Sequence, residues 1–135
     1  MSELLISGRE ILKGQPFSCY MGAVLNSLSE GHAELLLQIK PEFKQNHGYV
    51  HGGVLSYLAD NCLTFSAASV FGNCVTSEFK INYVRPAIGE FLVARATIIS
   101  FGKRQAVCEC KIHSVENGIE KLVAFSVGTI VKSES

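Results

Sequence analysis

The sequence predicts an α+β domain in which an antiparallel sheet wraps one long central helix. Three observations carry that prediction. Residues 54–71 contain no glycine or proline, and their apolar side chains spread round the helical wheel, the pattern of a helix buried on most sides. Two strand-like stretches precede this run and four alternating ones follow it, with turn residues between them. One helix kept apart from many strands implies an antiparallel sheet rather than alternating parallel units.

Taken in order, residues 3–13 (ELLISGREILK) read as a short helix, weakened by Gly8 and stopped by Pro16. Residues 1–16 are an N-terminal extension to a single domain covering 1–135. Residues 17–27 (FSCYMGAVLNS) read as a first strand, with Gly22 at a bulge or a point of close approach. A Ser29-Glu30-Gly31 turn joins it to a second strand at 32–39, and the two pair as a hairpin. Pro41 breaks the run, and a polar loop leads to His51-Gly52-Gly53 and the central helix, which Gly72-Asn73 ends. Strands at 75–84, 91–100, 105–115 and 121–131 then form a four-stranded meander, with Phe79, Ile81 and Tyr83 on one face of the first. Glu116-Asn117-Gly118 is a tight hairpin signal, Gly128 marks a kink, and the last residues are a polar tail.

At 135 residues, with 47% apolar and 18% charged, the chain suits one globular domain with part of its surface buried in an oligomer. Formal net charge is zero with no basic run, which demotes nucleic-acid binding. The central run is interrupted by Asp60 and Asn61 and is too short for a membrane span. No signal-peptide pattern opens the chain. The five cysteines are odd in number, with no CxxC spacing, so they read as reduced hydrophobes rather than metal ligands in a cytoplasmic protein. No metal is expected.

Asp60 falls nine residues after His51, in the middle of an apolar helix. A buried carboxylate without a partner costs several kcal/mol, so it needs hydrogen-bond donors or a chemical task. Gly52 and Gly53 open the same helix, where backbone N–H groups are unsatisfied and the helix dipole is positive. Without side chains they let an anionic oxygen approach that backbone closely. A Gly-Gly turn also serves close packing, and an aspartate also bonds neighbouring backbone. Both together at this spacing favour chemistry.

The pattern Gly48-x-x-His51-Gly52-Gly53-x-x-x-x-Leu58-x-Asp60, with this element order, resembles the hotdog-fold acyl-CoA thioesterases, in particular the phenylacetate-degradation (PaaI-like) group, over residues 17–131. The resemblance implies hydrolysis of an aryl- or medium/long-chain acyl-CoA, with coenzyme A part of the substrate and no other cofactor. It implies a homodimer paired edge to edge with active sites at the interface, and a homotetramer of two such dimers. In such a site Asp60 is the base that activates water or the nucleophile that forms an anhydride. The glycine turn, with Gly52 and Gly53, is the oxyanion hole and faces the Asp60 of the other subunit; His51 positions the turn or the carbonyl.

The resemblance also implies a carbonyl contact from Gln45, with Asn46 the adjacent alternative, and Gly48 in the substrate loop. Thr76 matches a Ser/Thr position upstream of Tyr83-x-x-Pro86, while Thr64 lies one turn after Asp60 on the same helix face; either hydroxyl is a candidate to hold the water. Arg85, Lys103 and Arg104 are the candidate contacts to coenzyme A phosphates. His32, His47 and His113 receive no role. Two competing functions are an acyl-binding module without catalysis, against which Asp60 and the glycine turn argue together, and a hydratase or dehydratase, whose His-plus-acid motifs are missing.

Overall fold

The computed structural model describes residues 1–134. Ser2 caps the first helix, α1 (Glu3–Lys13), by accepting from the Leu5 N–H at 3.2 Å. Gly8 is the contact point of this helix. A Cβ there would stand 2.7 Å from Leu25 Cδ2 and 2.8 Å from Leu28 Cδ2, so its lack of a side chain lets α1 press on the sheet.

The stretch expected to begin a strand at residue 17 is instead a second helix, α2 (Pro16–Met21). Pro16 stands at its first turn, where the missing N–H costs nothing, and Gly22 closes it in the left-handed conformation (φ +87°). The helical extension therefore runs to Met21, and β1 is only Val24–Ser29. It pairs with β2 (His32–Gln38) as expected, around Gly31 at φ +80°.

After a single 3-10 turn at Pro41–Phe43 and a loop comes α3 (Gly52–Phe71), which is followed by β3 (Cys74–Tyr83), β4 (Phe91–Phe101), β5 (Gln105–Glu116) and β6 (Ile119–Lys132). The sheet order is β1-β2-β4-β5-β6-β3, all neighbours antiparallel. The expected four-stranded meander is thus three strands: β3 does not pair with β4 and forms the far edge on β6. Its apolar alternation specifies a face, not a neighbour, and both edges offered the same face. The β5–β6 turn carries Asn117 at φ +52° and Gly118 at φ +77°, as a two-residue hairpin of this twist requires.

The sheet curls round α3. With Gly52 and Gly53 included, this helix reaches the length and apolarity of a membrane span that the shorter run in the sequence did not, yet half of that stretch is buried inside the protein. Leu58, Cys62 and Leu63 of α3 are fully enclosed with Leu35, Leu92, Ile112 and Ile130 of the sheet. Small residues on the sheet, Ala94, Ala96, Cys108, Cys110 and Ala124, let the helix lie close. Gly128 is an extreme case, since a Cβ there would sit 2.7 Å from Phe79 Cβ and 3.2 Å from Leu63 Cδ1. Shortening a leucine in such a core costs about 2–5 kcal/mol.

Candidate active site

Residues 44–50 form a closed loop in front of α3. Lys44 and Val50 bridge, the Gln45 N–H donates to Tyr49 O at 2.8 Å, and Gly48 (φ +88°) turns the chain. The Gln45 side-chain oxygen accepts from the His47 N–H, so only its amide nitrogen is free to donate outward. Gln45 is half-buried and Asn46 exposed.

His51 is the N-cap of α3. Its Nδ1 accepts from the Gly53 N–H at 2.8 Å, which places the ring N–H on Nε2. The Gly53 amide is therefore engaged inside the chain, and the Val54 N–H goes to His51 O at 3.0 Å. Among the described residues the Gly52 N–H has no acceptor. Of the two glycine amides expected to face a ligand, one is left.

Tyr83, at the end of β3, closes the other side of this turn. Its hydroxyl donates to Gly52 O at 3.1 Å and meets Ser56 Oγ at 2.7 Å, and a Cβ on Gly52 would stand 3.2 Å from its ring. Sequence reasoning gave Tyr83 no site role, although its alternation with Phe79 and Ile81 placed it on the helix-facing side. A cleft of about 420 Å³ runs past the turn, bordered by Gln45, Tyr49, Gly52, Tyr83 and Arg85.

Asp60 lies eight residues along α3 from Gly52, about 12 Å of helix. It is half-buried rather than enclosed, on the side of α3 that the sheet leaves open, together with Tyr57, Asn61 and Thr64. The Thr76 hydroxyl donates to Asp60 Oδ1 at 2.6 Å. Thr64 Oγ1 contacts Thr76 Oγ1 and the Asp60 carbonyl oxygen, each at 2.9 Å. Both candidate hydroxyls are present, in series: Thr76 touches the carboxylate and Thr64 supports Thr76. A β-bulge between Thr76 and Glu78 makes this possible. Without the extra residue Thr76 would share a face with Glu78 and Lys80; with it, Thr76 joins Phe79 and Ile81 toward the helix.

The three candidate cations separate. Arg85 borders the cleft at the Gly52 turn, and its N–H bonds Val123 O at the start of β6. Lys103 and Arg104 lie in the exposed β4–β5 turn, where Arg104 O accepts from the Lys132 N–H at the end of β6. Nine residues of strand, about 30 Å, lie between those two positions. One chain cannot bring all three to one phosphate group. All five cysteines are free thiols, and no cluster able to hold a metal exists among the described residues.

One chain thus carries two polar features on a single helix: an amide-bearing turn, and a carboxylate held by the Thr76 hydroxyl with Thr64 behind it. The family is set by comparison with known proteins. Residues 47–121, over half of the chain, match the thioesterase superfamily, and the chain belongs to that family of enzymes. It is 31% identical to the 1,4-dihydroxy-2-naphthoyl-CoA hydrolase of Listeria monocytogenes over 82% of this chain and 89% of that one. It is 29% identical to the acyl-coenzyme A thioesterase PaaI of Escherichia coli over 80% and 76% of the two chains. The solved structure of a thioesterase family protein from Silicibacter pomeroyi superposes with a TM-score of 0.91, at 27% identity over 95% and 96%. The Escherichia coli PaaI structure gives 0.89 at 23% identity over 98% and 94%, a likeness of fold. The architecture is the hotdog fold: one helix wrapped by an antiparallel sheet of six strands.

Proposed function

We propose that this protein is an acyl-CoA thioesterase that hydrolyses aryl- or medium/long-chain acyl-CoA to the free acid and coenzyme A. The observation that carries the reading is the Asp60 carboxylate, half-open on the side of α3 that the sheet does not cover and held in place by the Thr76 hydroxyl at 2.6 Å. A structural aspartate in that position would be spending a charge on a contact that an asparagine makes more cheaply.

The Gly52 amide is the oxyanion donor, and the absence of a Cβ lets the thioester carbonyl reach it. His51 sets the turn by holding the Gly53 amide. Asp60 then acts as base or nucleophile. As base, it takes a proton from water while the water oxygen attacks the carbonyl carbon; the C–S bond breaks and the proton leaves with the thiol. As nucleophile, it forms an anhydride that water opens to the same products. Coenzyme A enters as substrate, and neither route uses a metal or redox group.

Because the turn and the carboxylate are about 12 Å apart along one helix, a second copy closes each site. The proposed contact is β3, an edge strand whose exposed Val75 and Tyr83 suit pairing with its own counterpart. The resulting dimer holds two sites, and two dimers form a tetramer. Arg85 meets coenzyme A at the mouth on the turn side, and Lys103 or Arg104 only from another subunit. A reducing compartment, the cytoplasm, fits five free thiols.

A panel of aryl and aliphatic acyl-CoA thioesters, with thiol release followed by a disulfide dye, tests this reading. Turnover by the wild type and loss of kcat by about two orders of magnitude or more in Asp60→Asn, with the fold intact, are expected. No turnover on any member would rule it out.

A further inference from the structure

A cavity of about 120 Å³ opens beside Thr64, between α1 and the second half of α3, with Ile11, Gln15, Asn61, Phe65 and Cys74 in its walls. It begins two hydroxyls from the carboxylate, through the Thr64–Thr76–Asp60 series. An apolar cavity of ~150 Å³ holds benzene, so this one suits a single ring or a short chain. Burial pushes the Cys74 thiol up to about 11, so it stays neutral and acts as apolar wall.

One side of the cavity is polar, and its groups form one connected hydrogen-bond cluster. Tyr57 Oη donates to Ser18 Oγ, and Ser18 Oγ to Gln15 Oε1, each at 2.6 Å. Asn61 Nδ2 reaches Gln15 Oε1, Ser18 Oγ and Tyr57 Oη, each at 3.2 Å. Every proton of Tyr57, Ser18 and the Asn61 amide is spent within the cluster. Gln15 Nε2, a double donor, and Asn61 Oδ1, an acceptor, have no partner among the described residues. A donor and an acceptor on one cavity wall complement a hydroxyl, which accepts from the first and donates to the second.

We propose that Gln15 and Asn61 determine specificity by reading a hydroxyl on the acyl group, whose apolar part rests on Ile11, Phe65 and Cys74. The inference rests on the thioesterase reading above and gives the N-terminal helices a part in substrate choice. Gln15 lies outside the residues matched to the family, 47–121, and Asn61 is next to the proposed catalytic acid.

The test compares kcat/KM within matched pairs: 3-phenylpropanoyl-CoA against its 3- and 4-hydroxyphenyl forms, and hexanoyl-CoA against 6-hydroxyhexanoyl-CoA. Wild type is expected to favour the hydroxylated member of at least one pair by about tenfold or more, since a site built for a hydroxyl discriminates against its loss. Gln15→Met keeps length and removes the donor; it is expected to bring that ratio to within about threefold, chiefly by raising KM for the hydroxylated thioester. A cluster that merely docks α2 on α3 would slow both members equally. A wild-type ratio within about threefold in every pair, or a ratio that Gln15→Met leaves unchanged, overturns the inference, and the wild-type ratio decides even if the variant does not fold. Absence of turnover on both members of every pair would instead defeat the thioesterase reading itself.

Discussion

The Thr76 hydroxyl spends its proton on Asp60 Oδ1, and Thr64 stands behind it at 2.9 Å from Thr76 Oγ1. Three contacts share two protons, so Thr64 divides its own between Thr76 and the Asp60 carbonyl oxygen. The order of importance follows. A hydrogen bond to a charged group is worth about 1.5–3 kcal/mol, so Thr76→Val should lower kcat about 10- to 100-fold. Thr64→Val should cost under about tenfold, since it touches no charge. Steady-state kinetics on both, with Thr76→Ser restoring most of the rate, checks this; equal effects of the two valines would contradict it.

His51 works by holding the Gly53 amide from its Nδ1. Replacing a capping side chain with alanine costs about 1 kcal/mol, so His51→Ala should lose that much stability as well as activity. Asparagine carries an acceptor of similar reach and should recover the stability and bring the rate to within about tenfold of wild type. Urea unfolding beside kcat/KM separates the two effects. An asparagine variant as stable as wild type but as inactive as alanine would mean that the ring does more than hold the turn.

Alkaline pH should loosen the fold through its buried thiols. Burial raises the Cys62 and Cys108 thiols, and moves Cys74 from 9.0 to about 11. A thiol held above its unfolded value contributes stability that is complete below pH 9.0 and lost as pH rises toward about 11. The urea midpoint should therefore be level below pH 9.0 and fall above it, less steeply in Cys74→Ala. An identical alkaline fall in wild type and Cys74→Ala would remove Cys74 from the account.

Much of the architecture was legible because α3 and the alternating strands each answer to one kind of periodicity. The helix from the glycine turn to Gly72, the β1–β2 hairpin and the Asn117-Gly118 turn needed no tertiary information. Residues 17–21 misled because apolar alternation in FSCYM outweighed a local signal, Pro16 opening and Gly22 closing one short helix. The place of β3 was hidden for a different reason, since strand order depends on where the chain crosses, not on which residues are apolar. The same limit hid the bulge beyond Thr76 and so the order of the two threonines around Asp60. Tyr83 and the Gln15–Asn61 cluster depend on contacts 31 and 46 residues apart in the chain, beyond the reach of spacing.

The central claim, that Asp60 of one subunit serves the Gly52 turn of another, is tested most directly by mixing two inactive proteins. Asp60→Asn keeps a good turn, and Gly52→Val keeps a good acid while driving a side chain into the Tyr83 ring. If sites are shared across a two-fold interface, co-refolding equal amounts yields mixed dimers with one intact site each, and activity should return to about a quarter of wild type. If acid and turn belonged to the same chain, every site would carry one defect, and the mixture would stay as inactive as its components.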